Sequence, residues 1–231
     1  QDNDPNVRTS AVESLGRMKD SRAVQPLLDA LSRSDVSLRY TILDALAAIG
    51  APFPLETITP FLADVLLRKA VYECLGSVAG IEAVPLLMEG LADGGKSVRE
   101  ASAKALASLR ARISGAPSVR EWDSLVREGA RPRVVDTLLS LVEGSDSELQ
   151  RAAVTLLGSI GDGSAAPAIL RACRNERLFP ECLLALRAIG SVTVSLLERE
   201  FSNGDEETKR SVLRICGEMM FRDSLELARK G

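Results

Sequence analysis

Asp4–Leu31, DPNVRTSAVESLGRMKDSRAVQPLLDAL, is the stretch whose reading decides the fold. Asp4 carries a short side-chain oxygen suited to a helix N-cap. Pro5 occupies a first helical position, where no N–H is needed. Val7, Ala11, Leu15 and Met18 then recur at helical spacing. After a turn, Leu27, Leu28 and Leu31 form a second apolar stripe, with Pro26 in the first turn, where proline is tolerated. The stretch predicts helix, turn, helix.

The same pattern returns along the rest of the chain. Units start near Asp4, Asp35, Asp64, Gly95, Asp146, Asn175 and Asp205, and all but Gly95 offer a capping side chain. The first-helix stripe is Leu38, Ile42, Leu46 and Ile49 in the second unit and Leu67, Val71, Leu75 and Val78 in the third. Gly50, Gly80, Gly161 and Gly190 are expected to end first helices. The second helix returns with Pro85 before Leu86, Leu87 and Leu91, and with Pro167 before Ile169, Leu170 and Cys173. One such pair cannot bury its own stripe, whereas a stack of them can. The expected fold is therefore all-α: a right-handed α-α superhelix of about seven helix-pair repeats, read as one domain over residues 1–231.

The pattern of Asp4–Leu31, DPxVRxxAxxxLGxxxDxxAVxxLLxAL, resembles the short HEAT-like repeats of phycobilisome lyases. The resemblance is strong in the first, third and fifth units and weakest in the last two. It implies a solenoid that binds proteins, with any Asp/Arg columns acting as an internal ladder between repeats. Ankyrin and tetratricopeptide repeats fit poorly, because neither TPLHxA nor a W…LG…Y framework occurs.

Two places depart from the rule. An insertion at about 111–131 separates the two helices of the fourth repeat, with a short helix expected over Ser118–Glu128 and capped by Ser118. It holds the single tryptophan, Trp122, which either fastens the insertion or meets a partner. At the other end, Phe221–Gly231 offers only a stub of a second helix. With Gln1 as the first residue, this suggests a piece of a longer chain or a complex.

Arg8, Arg39, Arg68 and Arg99 share one repeat position, four residues after Asp4, Asp35, Asp64 and Gly95, continued by Gln150, Phe179 and Lys209. The spacing allows i,i+4 pairing, and the resemblance makes these residues a structural ladder rather than an anion groove. The second helices are expected to line the concave, partner-binding surface. Their solvent-facing candidates are Gln25, Asp29, Glu56, Glu82, Glu89, Arg133, Asp136, Arg171, Glu198 and Glu200, an acidic balance that would suit a basic segment of another protein.

Chemistry finds little foothold. The chain has no histidine, which removes His-based metal sites and His general bases, including the His–Glu sites of HEAT-type iron hydroxylases. Cys74, Cys173, Cys182 and Cys216 form no CxxC and sit at apolar helix positions, as buried free thiols would. No phosphate-binding glycine loop occurs. Net charge of −3 gives no basic footprint for nucleic acid or anionic lipid, and no apolar run is long enough to span a bilayer. The sequence thus suggests a cytoplasmic, non-catalytic interaction scaffold with no cofactor, metal or catalytic residue. An accessory subunit of a bilin-lyase-like or cofactor-modifying enzyme is the alternative.

Overall fold

The computed structural model describes residues 4–113 and 115–219, so Phe221–Gly231 lies outside the described residues. The described residues form helices α1 (Pro5–Met18), α2 (Val24–Leu31), α3 (Val36–Ile49), α4 (Arg68–Val78), α5 (Val84–Gly90), α6 (Lys96–Arg112), α7 (Ala116–Gly129), α8 (Pro132–Val142), α9 (Ser147–Ile160), α10 (Ala166–Ala172), α11 (Phe179–Ile189), α12 (Ser191–Asn203) and α13 (Glu206–Met219). Short 3-10 turns supplement them, and no strand is found among these residues. No single helix among them is long and apolar enough to cross a membrane.

The caps operate as the repeat pattern demands. Asp4 accepts from the Asn6 N–H, Asp35 from Leu38, Asp146 from Glu148 and Leu149, and Asp205 from Thr208. Asp64 and Asn175 instead hold the turn just before their helices, accepting from Leu66 and Arg177. Gly50 and Gly161 end α3 and α9 at φ 68° and 75°, as expected of a C-terminal glycine. Helix α4 differs. It stops at Ala79 in extended conformation, and Gly80, at φ −96°, starts the next turn.

The second unit carries Pro52, Pro54 and Pro60, each lacking a donor, and its second helix is replaced by 3-10 turns at Leu55–Thr57 and Thr59–Ala63. The inserted helix α7 begins at Ala116, which places Ser118 inside its first turn rather than at the cap.

Two compact units divide within α7: Gln1–Leu125 and Val126–Gly231. In the first, α1, α3, α4 and α6 pack in succession, with α2 against α3 and α5 against α6. In the second, α9, α11 and α13 pack in succession, while α8, α10 and α12 form a parallel row beside them. The stripe expected in the third unit is buried throughout, with Leu67, Val71 and Leu75 at 0% exposure. In α1 the expected phase is off. Val12 and Gly16 are buried, whereas Val7 and Met18 are 47% and 69% exposed. Among the described first helices α1 packs only on α3, so a single flank of it is covered.

Three pairs of first helices meet at backbone distance. A Cβ placed on Gly16 would lie 2.9 Å from Ala45 Cα, one on Gly76 2.7 Å from Ala105 Cα, and one on Gly158 2.7 Å from Ala185 Cα. Each glycine sits at the same offset from its capping Asp4, Asp64 or Asp146, and each alanine at one offset from Asp35, Gly95 or Asn175. Gly217 of α13 occupies the glycine offset too, with no described atom within 4 Å. Both Gly76→Ala and Gly217→Ala gain about 1 kcal/mol of helix propensity, but only the former overpacks, at a cost of roughly 1–3 kcal/mol. Denaturant unfolding should therefore show Gly76→Ala less stable than Gly217→Ala by about 1–3 kcal/mol. Equal stabilities would mean that these contacts do not set the helix spacing.

Candidate partner-binding surface

The arginine column has a definite structural task. A helix ends with carbonyls that lack an intrahelical donor, and the second-helix segments of the first four units are met, at or just after their ends, by a donor from the next first helix. Arg39 donates through Nε to the Leu31 carbonyl at 3.1 Å and through Nη2 to Ser32 at 3.3 Å. Arg68 Nε donates to Leu62 at 2.8 Å, and its Nη1 pairs with Asp93 Oδ2 at 3.1 Å. Arg99 Nη1 reaches the Asp93 and Gly94 carbonyls at 2.9 and 3.0 Å. Gln150 Nε2 does the same for Val142 and Gly144, at 3.1 and 2.8 Å. The i,i+4 pairing suggested by the spacing is thus replaced by two caps, the aspartate holding its own helix start and the arginine the previous helix end. Arg8, in the first unit, is exposed.

The second-helix residues are placed differently. Gln25 and Asp29 are exposed on α2 and joined by a 2.9 Å hydrogen bond. Glu56 is exposed in a 3-10 turn, and Glu89 is exposed on α5. Glu82 is also exposed, but its Oε1 accepts from the Gly80 N–H at 2.9 Å and so holds its own turn. Arg133 and Asp136 are exposed on α8, and Arg171 on α10 pairs with Glu143 at 3.0 Å. Trp122 has to be taken out of the partner-binding set. At 0% exposure its ring offers no surface to a partner and acts as a core residue.

In the unit Val126–Gly231 the row of second helices opens a cleft of about 200 Å³ lined by Pro167, Leu170, Arg171, Arg174, Glu200, Thr208, Ser211 and Val212. The sequence reading named Arg171 and Glu200 but missed Arg174, Thr208 and Ser211. A signal for two of them exists. The column Val7, Leu38, Leu67, Val98, Leu149 and Leu178 turns polar at Thr208, and Arg174 stands just before a capping residue, where earlier units place Ser34, Ala63 and Gly94.

All four cysteines are free and buried. Burial pushes the Cys74 thiol up to about 12, and contact with Cys173 together with burial raises that of Cys182. At neutral pH the Cys74 and Cys182 thiols stay protonated, unlike activated nucleophiles. No group of three or more metal-ligating side chains is gathered among the described residues.

Comparison with known proteins agrees with this architecture. Residues 1–66 and 27–107 match the family model for HEAT repeats, and residues 149–175 match that for the PBS lyase HEAT-like repeat. The chain is a HEAT-like repeat protein. Among solved structures, an engineered protein is similar at 19% identity and a TM-score of 0.62, over 96% of this chain and 66% of its own. The complex of CpcE and CpcF of phycocyanin lyase from Nostoc sp. PCC7120 is similar at 23% identity and a TM-score of 0.44, over 91% of this chain and 72% of that one. A designed armadillo repeat protein in complex with the peptide (KR)4 follows at 14% identity and 0.43, over 94% and 95%. Comparison with curated proteins gives no match.

The two faces should respond differently to truncation. Arg99→Met removes donors from one part-buried and one exposed carbonyl and should cost about 1 kcal/mol. Asp29→Ala and Glu89→Ala, on the exposed surface, should stay within about 0.5 kcal/mol. Chemical denaturation of the three variants measures both, and an Arg99 variant as stable as the wild type would contradict the capping role.

Proposed function

We propose that this HEAT-like repeat protein is a non-catalytic, cytoplasmic interaction module that engages a partner protein on its second-helix surface. The supporting observation is how its polar groups are spent. First-helix arginines and Gln150 are consumed by backbone carbonyls, whereas Asp29, Glu56, Glu89 and Asp136 remain exposed on second-helix segments. In the unit Gln1–Leu125 those segments present Asp29, Glu56, Glu82 and Glu89, so its surface suits a basic segment. Such a field contributes to encounter rate and orientation more than to affinity, and salt screens it.

A photo-crosslinking amino acid at positions 29, 89 and 136 should capture the partner from a native lysate. The same group at positions 13 and 17, on the exposed outer side of α1, should not. Crosslinks confined to 13 and 17 would sink the proposal.

A second reading, an accessory subunit of a bilin-lyase-like enzyme, is favoured by the match of residues 149–175 to the PBS lyase HEAT-like repeat. It predicts saturable binding of a linear tetrapyrrole with a shift of its absorbance band. A flat titration removes it.

A further inference from the structure

We propose that the cleft between α10, α12 and α13 is an anchor site for an acidic partner peptide, taking one aliphatic side chain together with a carboxylate next to it. This deepens the module reading above and rests on it. The cleft lies on the second-helix row of the unit Val126–Gly231, and its chemistry is opposite in sign to the second-helix surface of the other unit.

Size comes first. At about 200 Å³ the cleft is smaller than the roughly 300–1,000 Å³ typical of small-molecule sites. It is suited to a single side chain, the way protein interfaces seat an anchor residue. Pro167 and Leu170 on α10 supply an apolar lining for that residue, over the buried Val212 of α13. The opening is bordered by Arg171 and Arg174 on one side and Glu200 on the other.

Charge then selects the flanking group. Arg174 is exposed and makes a long 3.4 Å donation from Nη2 to Thr208 Oγ1. The nearby Asp205 carboxylate is already used on the Thr208 N–H at 2.8 Å. A guanidinium has five donors in a planar fork that matches a carboxylate, so Arg174 retains donors for an incoming one. Arg171 is held by Glu143, but that pair is 61% and 64% exposed and contributes too little to prevent exchange. Glu200 lies 3.3 Å from Arg199 and repels a carboxylate from the α12 side, which directs the peptide's acid toward α10. A basic peptide would instead bring its cations against Arg171 and Arg174. Thr208, whose hydroxyl bonds the Asp205 carboxylate and accepts from Arg174, and Ser211 line the same space.

A phage-displayed random dodecapeptide library selected on the full chain tests this directly. The enriched peptides should pair Leu, Ile, Val or Met with an adjacent Asp or Glu. Synthetic copies, followed by fluorescence anisotropy, should lose at least tenfold in affinity on Arg174→Glu and much less on Arg174→Lys, with Glu13→Lys as an unaffected control. Arg174 is exposed, so these variants should keep the wild-type helical circular dichroism and melting temperature. Enrichment of basic peptides, binding indifferent to Arg174→Glu, or no enrichment each overturns the inference. Peptides lost on Glu89→Lys but kept on Arg174→Glu would overturn the cleft while sparing the second-helix reading, which fails separately if crosslinks fall only at positions 13 and 17.

Discussion

The constraint that sets the stacking of first helices is their close contact at Gly16–Ala45, Gly76–Ala105 and Gly158–Ala185. A helix-pair repeat gains its stability from its neighbours, so the distance between consecutive first helices governs how much apolar surface each closes. Glycine against alanine brings the two backbones together, and the leucines beside them, Leu46, Leu75, Leu106, Leu157 and Leu186, all fall to 2% exposure or less. Because glycines fall in the first, third and fifth units and alanines in the second, fourth and sixth, the effective building block is a pair of repeats. This also accounts for the first, third and fifth units carrying the Leu-Gly of the pattern while the even ones depart from it.

Tight helix stacking creates a second demand. Second helices end where the next first helix packs, and their last carbonyls, part-buried or exposed, lack an intrahelical donor. Long donors from the following repeat meet this need, and other side chains repeat the device at first-helix ends. Arg112 caps Gly76 and Ala79 at the end of α4, Arg127 reaches Ser159 of α9, and Arg187 donates to Glu218 of α13. Where the column holds Phe179 instead, the ring is covered by Arg214, which is itself held in a two-point pair with Glu176. The most conspicuous polar motif of the sequence is therefore absorbed by the backbone and leaves no vacant anion site along Arg39, Arg68 and Arg99.

Much of this was legible in the residues because it is local. Asp4, Asp35, Asp146 and Asp205 cap within three residues of themselves, and periodicity located the buried stripe of α4. What was not legible depends on neighbours. The phase of α1 follows from which flank is covered, and a helical glycine such as Gly76 looks like a weakness until Ala105 is seen against it. Three prolines close together, Pro52, Pro54 and Pro60, turn the second unit's inner segment into 3-10 turns that apolar spacing alone does not announce. Trp122 could by its type serve as core or as contact, and its enclosure separates the two. The cleft was hidden for the same reason, since its lining comes from three helices.

The distinction between rule and exception carries the functional argument further than any single motif. A residue that obeys the repeat has a structural reason to be there, namely a cap, a stripe or a carbonyl donor. Thr208 breaks an apolar column that runs through all six preceding units, and a hydroxyl at such a position forgoes the burial that Leu149 and Leu178 provide. Its backbone N–H and its hydroxyl both bond the Asp205 carboxylate, so the change of side chain also serves the helix start. Together with Arg174, which likewise departs from its column, the hydroxyl faces the one described cleft on the second-helix row. These two departures from the repeat, joined by the Arg174–Thr208 contact, converge on one concave space and distinguish it from the rest of the second-helix row.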